Sequence, residues 1–290
     1  MKSFAVVLGL VASAAAFCQV PTVQLHLDLT GSLRIQQTST SLFQFYDVMG
    51  RPSIVSLSFF TQQGFRVYAA EKLQPLPGDS SNDPFDEYYV EDEGIWRVGK
   101  QYLPFGSGHM LHESALAVRG DTSLILENVP IAIAFCNGGN GYESGFTGRI
   151  GSVIGASLAW GRHFGIAATS FDDIRKPEDA PGQSRGWKEA FGLDASRRLQ
   201  HWTVRAEAIS LQGAETPADF NRYVFDVSAA LNPVKGETTT FGWSRQTPDR
   251  HDFYRIQGAY EIVKHVTFEP MIRFRDGTLF DLTAQVRIKF

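Results

Sequence analysis

Ionisable side chains alternate with apolar ones through the C-terminal half of the chain: Arg205 and Glu207, Arg222 and Asp226, Arg255 and Glu261, Glu269 and Arg273, and Asp281 and Arg287. Successive side chains of an extended chain point to opposite faces, so these groups share one face and leave an apolar face behind them. Charges of both signs on one wall create a field that attracts and sorts charged solutes. A plainer reading, of wall residues that are solvated or paired with a cross-strand neighbour, applies equally to each.

Patterns that would break bonds are weaker. Gly182-Gln183-Ser184-Arg185-Gly186 has the G-x-S-x-G spacing of a hydrolase nucleophile, but that elbow needs an apolar strand before it and a helix after it. Here the polar run 175–181 precedes it. His109, His112 and Glu113 lack both the H-E-x-x-H spacing and a second ligand cluster, so neither a metal nor any other cofactor is expected. The acids Asp83, Asp86, Glu87, Glu91, Asp92 and Glu93 would draw Ca²⁺ or lipid-bound cations, although a solvated loop or strand edge explains them as well. Arg119-Gly120-Asp121 reads as a turn at a strand end.

The elements that hold the charged face are extended strands. Phe280, Leu282, Ala284, Val286, Ile288 and Phe290 alternate without a break with Asp281, Thr283, Gln285, Arg287 and Lys289, and residues 23–36 repeat the pattern with opposite parity. These runs exceed the roughly 5 to 6 residues of an ordinary strand and satisfy the about 9 to 11 that a tilted membrane-crossing strand needs. Asp276-Gly277 is a two-residue hairpin signal. Between the two end strands, others are expected at 53–61, 65–71, 85–90, 96–102, 112–120, 129–136, 147–159, 163–171, 187–197, 201–212, 220–231, 236–246, 253–263 and 266–275. The count is about 16, with 14 or 12 as alternatives, and an even count places both termini at one side of a closed barrel. Short turns at 62–64, 161–162 and 264–265 fall on that side, and the longer polar loops 73–83 and 172–185 on the other. A soluble β-sandwich shows the same period. It does not account for so many long strands, or for Trp160, Phe164, Trp187, Trp202, Tyr223, Trp243 and Tyr254 near strand ends.

Lys2, the apolar run 4–17 and the small residues 14–16 read as a secretory signal peptide, 1–18, with cleavage after Cys18 favoured over the alternative after Ala16. The run is too short for a membrane helix, which needs about 20 residues. Residues 19–290 show no linker or composition break and are expected to form one domain, with Cys136 as a small apolar filler. No uninterrupted apolar stretch beyond the signal is long enough for a membrane helix and the mean hydropathy is −0.15, which together exclude a helical membrane protein, while a barrel whose strands face water on one side fits that average. A net charge of −4 without a basic cluster among aromatics argues against nucleic acid.

An alternating strand ending in Phe290 resembles the terminal strand of bacterial outer-membrane β-barrel proteins. That resemblance implies that Phe290 belongs to the signal read by the barrel-assembly machinery. Gly99-Lys100-Gln101-Tyr102-Leu103-Pro104-Phe105-Gly106 resembles a Gly-x-x-x-x-Pro-Phe-Gly stretch of bacterial porins, general and phosphate-selective. It implies that the segment 103–113 folds inward as a constriction, with His109, His112 and Glu113 as polar lining. No dense ladder of lysine and arginine supports phosphate selectivity. The expectation is an all-β, single antiparallel transmembrane barrel in the bacterial outer membrane with both termini periplasmic, a non-enzymatic porin for small hydrophilic solutes. Its partners would be membrane lipids and the assembly machinery, and the Gly- and Ala-rich outer face around 150–159 would pack equally well against lipid or against further protomers of a homotrimer. The competing readings are a phospholipase-like barrel enzyme, with Ser114 and His112 on the lipid-facing rim, and a closed barrel acting as an anchor or adhesin.

Overall fold

A computed structural model describes residues 22–45, 47, 52–61, 63–74, 84–108, 110, 114–124, 129–137, 144–164, 187–212, 222–247 and 251–290, all in strands and connections without a helix. The signal segment 1–18 lies outside them. The strands are β1 (Thr22–Gln36), β2 (Thr40–Gln44), β3 (Ile54–Phe60), β4 (Phe65–Lys72), β5 (Phe85–Asp92), β6 (Trp96–Tyr102), β7 (Ser114–Leu124), β8 (Val129–Asn137) and β9 (Ser144–Gly151). They continue as β10 (Ile154–Phe164), β11 (Trp187–Leu199), β12 (Trp202–Gln212), β13 (Arg222–Leu231), β14 (Glu237–Thr247), β15 (Asp252–Val263), β16 (Val266–Arg275) and β17 (Thr278–Lys289).

Neighbours pair antiparallel, and β17 returns to β1, with Asp28 opposite Lys289 and Gln36 opposite Asp281, so the sheet closes on itself. β3 and β2 lie end to end along β1, on residues 22–28 and 31–35. The 17 segments therefore fill 16 positions of a closed barrel, the architecture and strand number that the alternation predicts. Closure gives β1 and β3 to β17 a paired neighbour on both sides, and backbone groups satisfied in this way are what lets strands cross hydrocarbon. Phe290 joins the seam by exchanging backbone hydrogen bonds with Leu27 (3.0 and 2.9 Å), so both ends of the described chain meet at one rim.

Two strand assignments are corrected. Residues 147–159 are not one strand: β9 and β10 turn through Ser152 and Val153. Every β9–β10 pair joins residues of like parity, such as Ile150 with Ala156 and Gly151 with Gly155, so the outward face stays on even numbers straight through the turn. Period two carries no trace of such a hairpin. Gly161-Arg162, expected as a turn, lies inside β10, where Gly161 at φ +90° accommodates a register shift. The strand expected at 163–171 is in place only to Phe164, and the rest lies outside the described residues.

The second wall position starts earlier than expected, at Thr40, and is interrupted between β2 and β3. Phe45 at φ +59° leads the chain off the wall, and the Ser53 amide closes the excursion on the Phe45 carbonyl at 2.6 Å. Ser53 Oγ accepts the Thr30 amide at 2.8 Å and replaces the missing ladder bond. Arg119-Gly120-Asp121 is no turn either: it lies within β7, with Arg119 opposite Arg97 and Asp121 opposite Ala132.

At the far rim, Asp276 (φ +50°) and Gly277 (φ +81°) form the expected two-residue hairpin. Both central residues in the left-handed region suit Asp-Gly and exclude bulk. The Asp252 amide and then His251 hold the exposed Asp276 carboxyl below its ordinary range. A depressed carboxylate stabilises above its unfolded titration and loses that contribution as pH falls through the folded value. Gly277→Val is expected to lower stability by about 1 to 2 kcal/mol, measured by urea unfolding in lipid vesicles.

Candidate functional site

The inner wall carries the charge. Along β17 Asp281, Thr283 and Gln285 are buried inside while Leu282, Ala284 and Val286 are exposed outside, and β16 likewise turns Met271 and Arg273 inward. Arg255 and Asp226 face each other inside across β14, joined by two hydrogen bonds of 2.6 and 3.0 Å. Arg273 and Asp281 form a fully buried pair, and Arg34 reaches the same carboxylate at 2.7 Å from across the β1–β17 seam. Arg287 binds both oxygens of Asp28 over that seam at 2.8 Å, and Glu269 accepts from Gln285. Arg205 lies one pair below Glu207 on β12, opposite Ser228. Glu261 sits exposed near the terminal rim, opposite Thr267. Arg222 opens β13 opposite Leu211.

The N-terminal strands contribute further interior charges, Arg66 and Arg97, which the sequence pattern does not single out, and Glu91 and Arg119, which it assigns to a solvated acidic run and to a turn. Arg66, Glu91, Arg97 and Arg119 are direct cross-strand partners on β4 to β7. Glu91 serves two guanidiniums, Arg66 at 3.0 Å and Arg97 at 2.6 Å. Arg119 turns to Asp121 at 2.6 Å, and Arg149 on β9 reaches Asp194 on β11 at the same distance. The signal was present, since Arg97 stands between Trp96 and Val98, and Arg149 between Gly148 and Ile150. The acidic run is divided by the same parity: Glu91 joins the interior row, whereas Asp86 accepts from the Tyr102 hydroxyl. Among the described residues no group of three His, Cys, Asp or Glu side chains is arranged to hold a metal.

On the other arc, Asp194, Glu207 and Asp226 are direct partners on β11, β12 and β13. Like charges so placed repel. Arg149 and Arg255 neutralise the outer two. The central Glu207 instead accepts the Ser107 hydroxyl at 2.7 Å and the Ser107 amide at 3.3 Å.

Ser107 belongs to the chain that leaves β6, and this segment lies against the inside of the wall. The Gly106 amide donates to Ser157 Oγ on β10 at 2.8 Å. Leu103, Phe105 and Met110 are buried in an apolar cluster with Ala159, Ala190, Ile209, Leu211 and Cys136. Phe105 occupies the space above Gly192, where an added Cβ would lie 3.0 Å from its ring. A cluster of this kind gains roughly 25 cal/mol per Å² of apolar area removed from water, which is what holds the loop in. Gly192→Val is therefore expected to unseat Phe105 and to expose the segment to limited proteolysis. His109, His112 and Glu113 lie outside the described residues. Ser114 opens β7 opposite Tyr102.

Two cavities flank this loop. One of about 1030 Å³ is lined by Arg66, Arg97, Arg119, Arg149, Asp121 and residues 103–108. The other, of about 350 Å³, is lined by Thr203, Arg205, Glu207, Asp226 and Arg255. Ser107 lines both.

No family model matches the sequence, and no curated protein matches it. Solved structures do share the fold. OmpT, an outer membrane protein of Vibrio cholerae, in a loop L8 deletion mutant has a TM-score of 0.64 at 8% identity over 94% of this chain and 100% of that one. The outer membrane channel DcaP of Acinetobacter baumannii has a TM-score of 0.59 at 12% identity over 94% and 99%. A refined porin structure has a TM-score of 0.58 at 12% identity over 93% and 100%. OmpT is also among them in a trimer form. The likeness is one of fold: the chain shares the closed 16-position antiparallel barrel of these outer-membrane proteins.

Proposed function

We propose that the protein is an outer-membrane porin through which small hydrophilic solutes or ions diffuse down their gradients. The observation that carries this reading is the division of the wall: apolar outside, ionised inside, around a 16-position cylinder. Cylinders of about 16 to 18 strands are wide enough for an aqueous channel, unlike those of about 8. The larger cavity, at about 1030 Å³, has room for on the order of thirty waters. The inward loop narrows the passage beside Ser107, so solutes are screened by size there. The guanidiniums of β4 to β7 and the carboxylates of β11 to β13 stand on separate arcs and create a transverse field that favours hydrated and dipolar solutes over apolar ones. No chemical step is needed.

In this reading both termini face the periplasm, Phe290 serves recognition during assembly, lipid surrounds the outer belt and protomers associate as trimers. Purified protein in a planar bilayer is expected to give discrete conductance steps, enlarged in Gly192→Val. A folded, inserted protein without conductance would contradict the proposal.

A further inference from the structure

The lumenal charges are nearly balanced by residue count but not by exposure. In the row on β4 to β7, the side chains of Arg66, Arg97 and Arg119 are 26%, 21% and 24% exposed, whereas the Glu91 carboxylate that serves the first two is 5% exposed. Arg149 repeats this, 23% exposed over an Asp194 that is 4% exposed. The Arg97 guanidinium also lies 4.0 Å over the Tyr89 ring, which fixes it against the wall. In the smaller cavity Arg205 is exposed while Glu207 and Asp226 are buried. Around the larger cavity the cations therefore face the water with their carboxylates behind them, as Arg205 does in the smaller one, where Arg255 and Asp226 are both buried. Among the described residues that line the larger cavity, Asp121 and, in the β5–β6 turn, the exposed Glu93 oppose them, while at the β1–β17 seam Asp28 and Arg287 are equally exposed at 21%.

A buried carboxylate neutralises a guanidinium at long range, but a solute in the lumen meets the guanidinium first. The difference between the two distances sets the local potential. Each of these arginines also keeps N–H groups that a planar oxyanion can accept in a fork geometry.

We infer that the passage is anion-selective and that its solutes are small anions with carboxylate- or phosphate-like oxygens, despite the chain's net charge of −4. This rests on the diffusion reading above. A unit positive charge at roughly 7 Å through water raises the local concentration of a monovalent anion about threefold and lowers that of a monovalent cation by the same factor, so a chloride-over-potassium permeability ratio on the order of seven is expected.

The test is the reversal potential of the purified protein in a KCl gradient across a planar bilayer, for the wild type and for Arg119→Glu. Arg119 and its partner Asp121 are both partly exposed, so this change leaves the buried pairs intact. A chloride preference of about sevenfold that is lost or inverted in the variant supports the inference. A potassium preference in the wild type overturns it and leaves the diffusion reading standing, as does a ratio unchanged by Arg119→Glu. An inserted barrel with no current overturns both.

Discussion

Asp281→Ala is expected to destabilise the barrel by about 3 to 5 kcal/mol, because it strips a carboxylate from two guanidiniums, one of them fully buried. Arg273 donates to Asp281 from Nε at 2.8 Å and again from the guanidinium terminus, and neither side chain has more than 1% of its surface exposed. Arg34 donates to the same carboxylate from the first strand. Removing the anion leaves Arg273 charged and shut away from water, and it unties β1 from β17 inside the lumen. Urea unfolding in lipid vesicles measures the loss. The double change Arg273→Met with Asp281→Leu is expected to cost far less, since apolar groups of similar size need no partner. Equal losses in the two variants would show that side-chain packing rather than the orphaned charge governs the effect.

Ala284→Arg is expected to cost roughly 2 to 4 kcal/mol, the penalty for arginine on the lipid face near the membrane midplane. Ala284 lies near the middle of β17, exposed on the outer face between Leu33 and Pro270. Gln285→Arg, one residue on, is expected to be tolerated, because the side chain points inward and Glu269 stands beside it to receive a guanidinium. Heat-resistant folding on gels and vesicle unfolding report both. Similar losses for the two variants would mean that the two faces are not chemically distinct.

Much of this architecture is legible in the sequence where one face is unbroken. β1 and β12 to β17 alternate in long runs, and Asp276-Gly277 announces its own hairpin, so the inward placement of Asp226, Arg255, Arg273 and Asp281 follows from parity, whereas the register shifts at residues 261–263 and 273–274 do not. Parity fails where a turn preserves it, as between β9 and β10, and where a strand leaves the wall and returns, as between β2 and β3. The shorter N-terminal strands carry weak patterns, so Arg66 and Arg97 do not stand out and Arg119 reads as part of a turn, although each arginine sits at the parity of its interior neighbours. The loop after β6 is visible as an apolar run ending in Pro104-Phe105-Gly106. Its seat is not, because Ser157, Gly192 and Glu207 are scattered over distant strands and meet only when the cylinder closes.

The most direct test is to attach nitroxide labels singly at positions 282 to 287, in a Cys136→Ala background in lipid bilayers, and to measure collision with oxygen and with a water-soluble nickel chelate. Oxygen accessibility is expected to peak at 282, 284 and 286 and nickel accessibility at 283, 285 and 287, the two profiles out of phase. Profiles in phase, or flat, would contradict a wall with lipid on one side and water on the other.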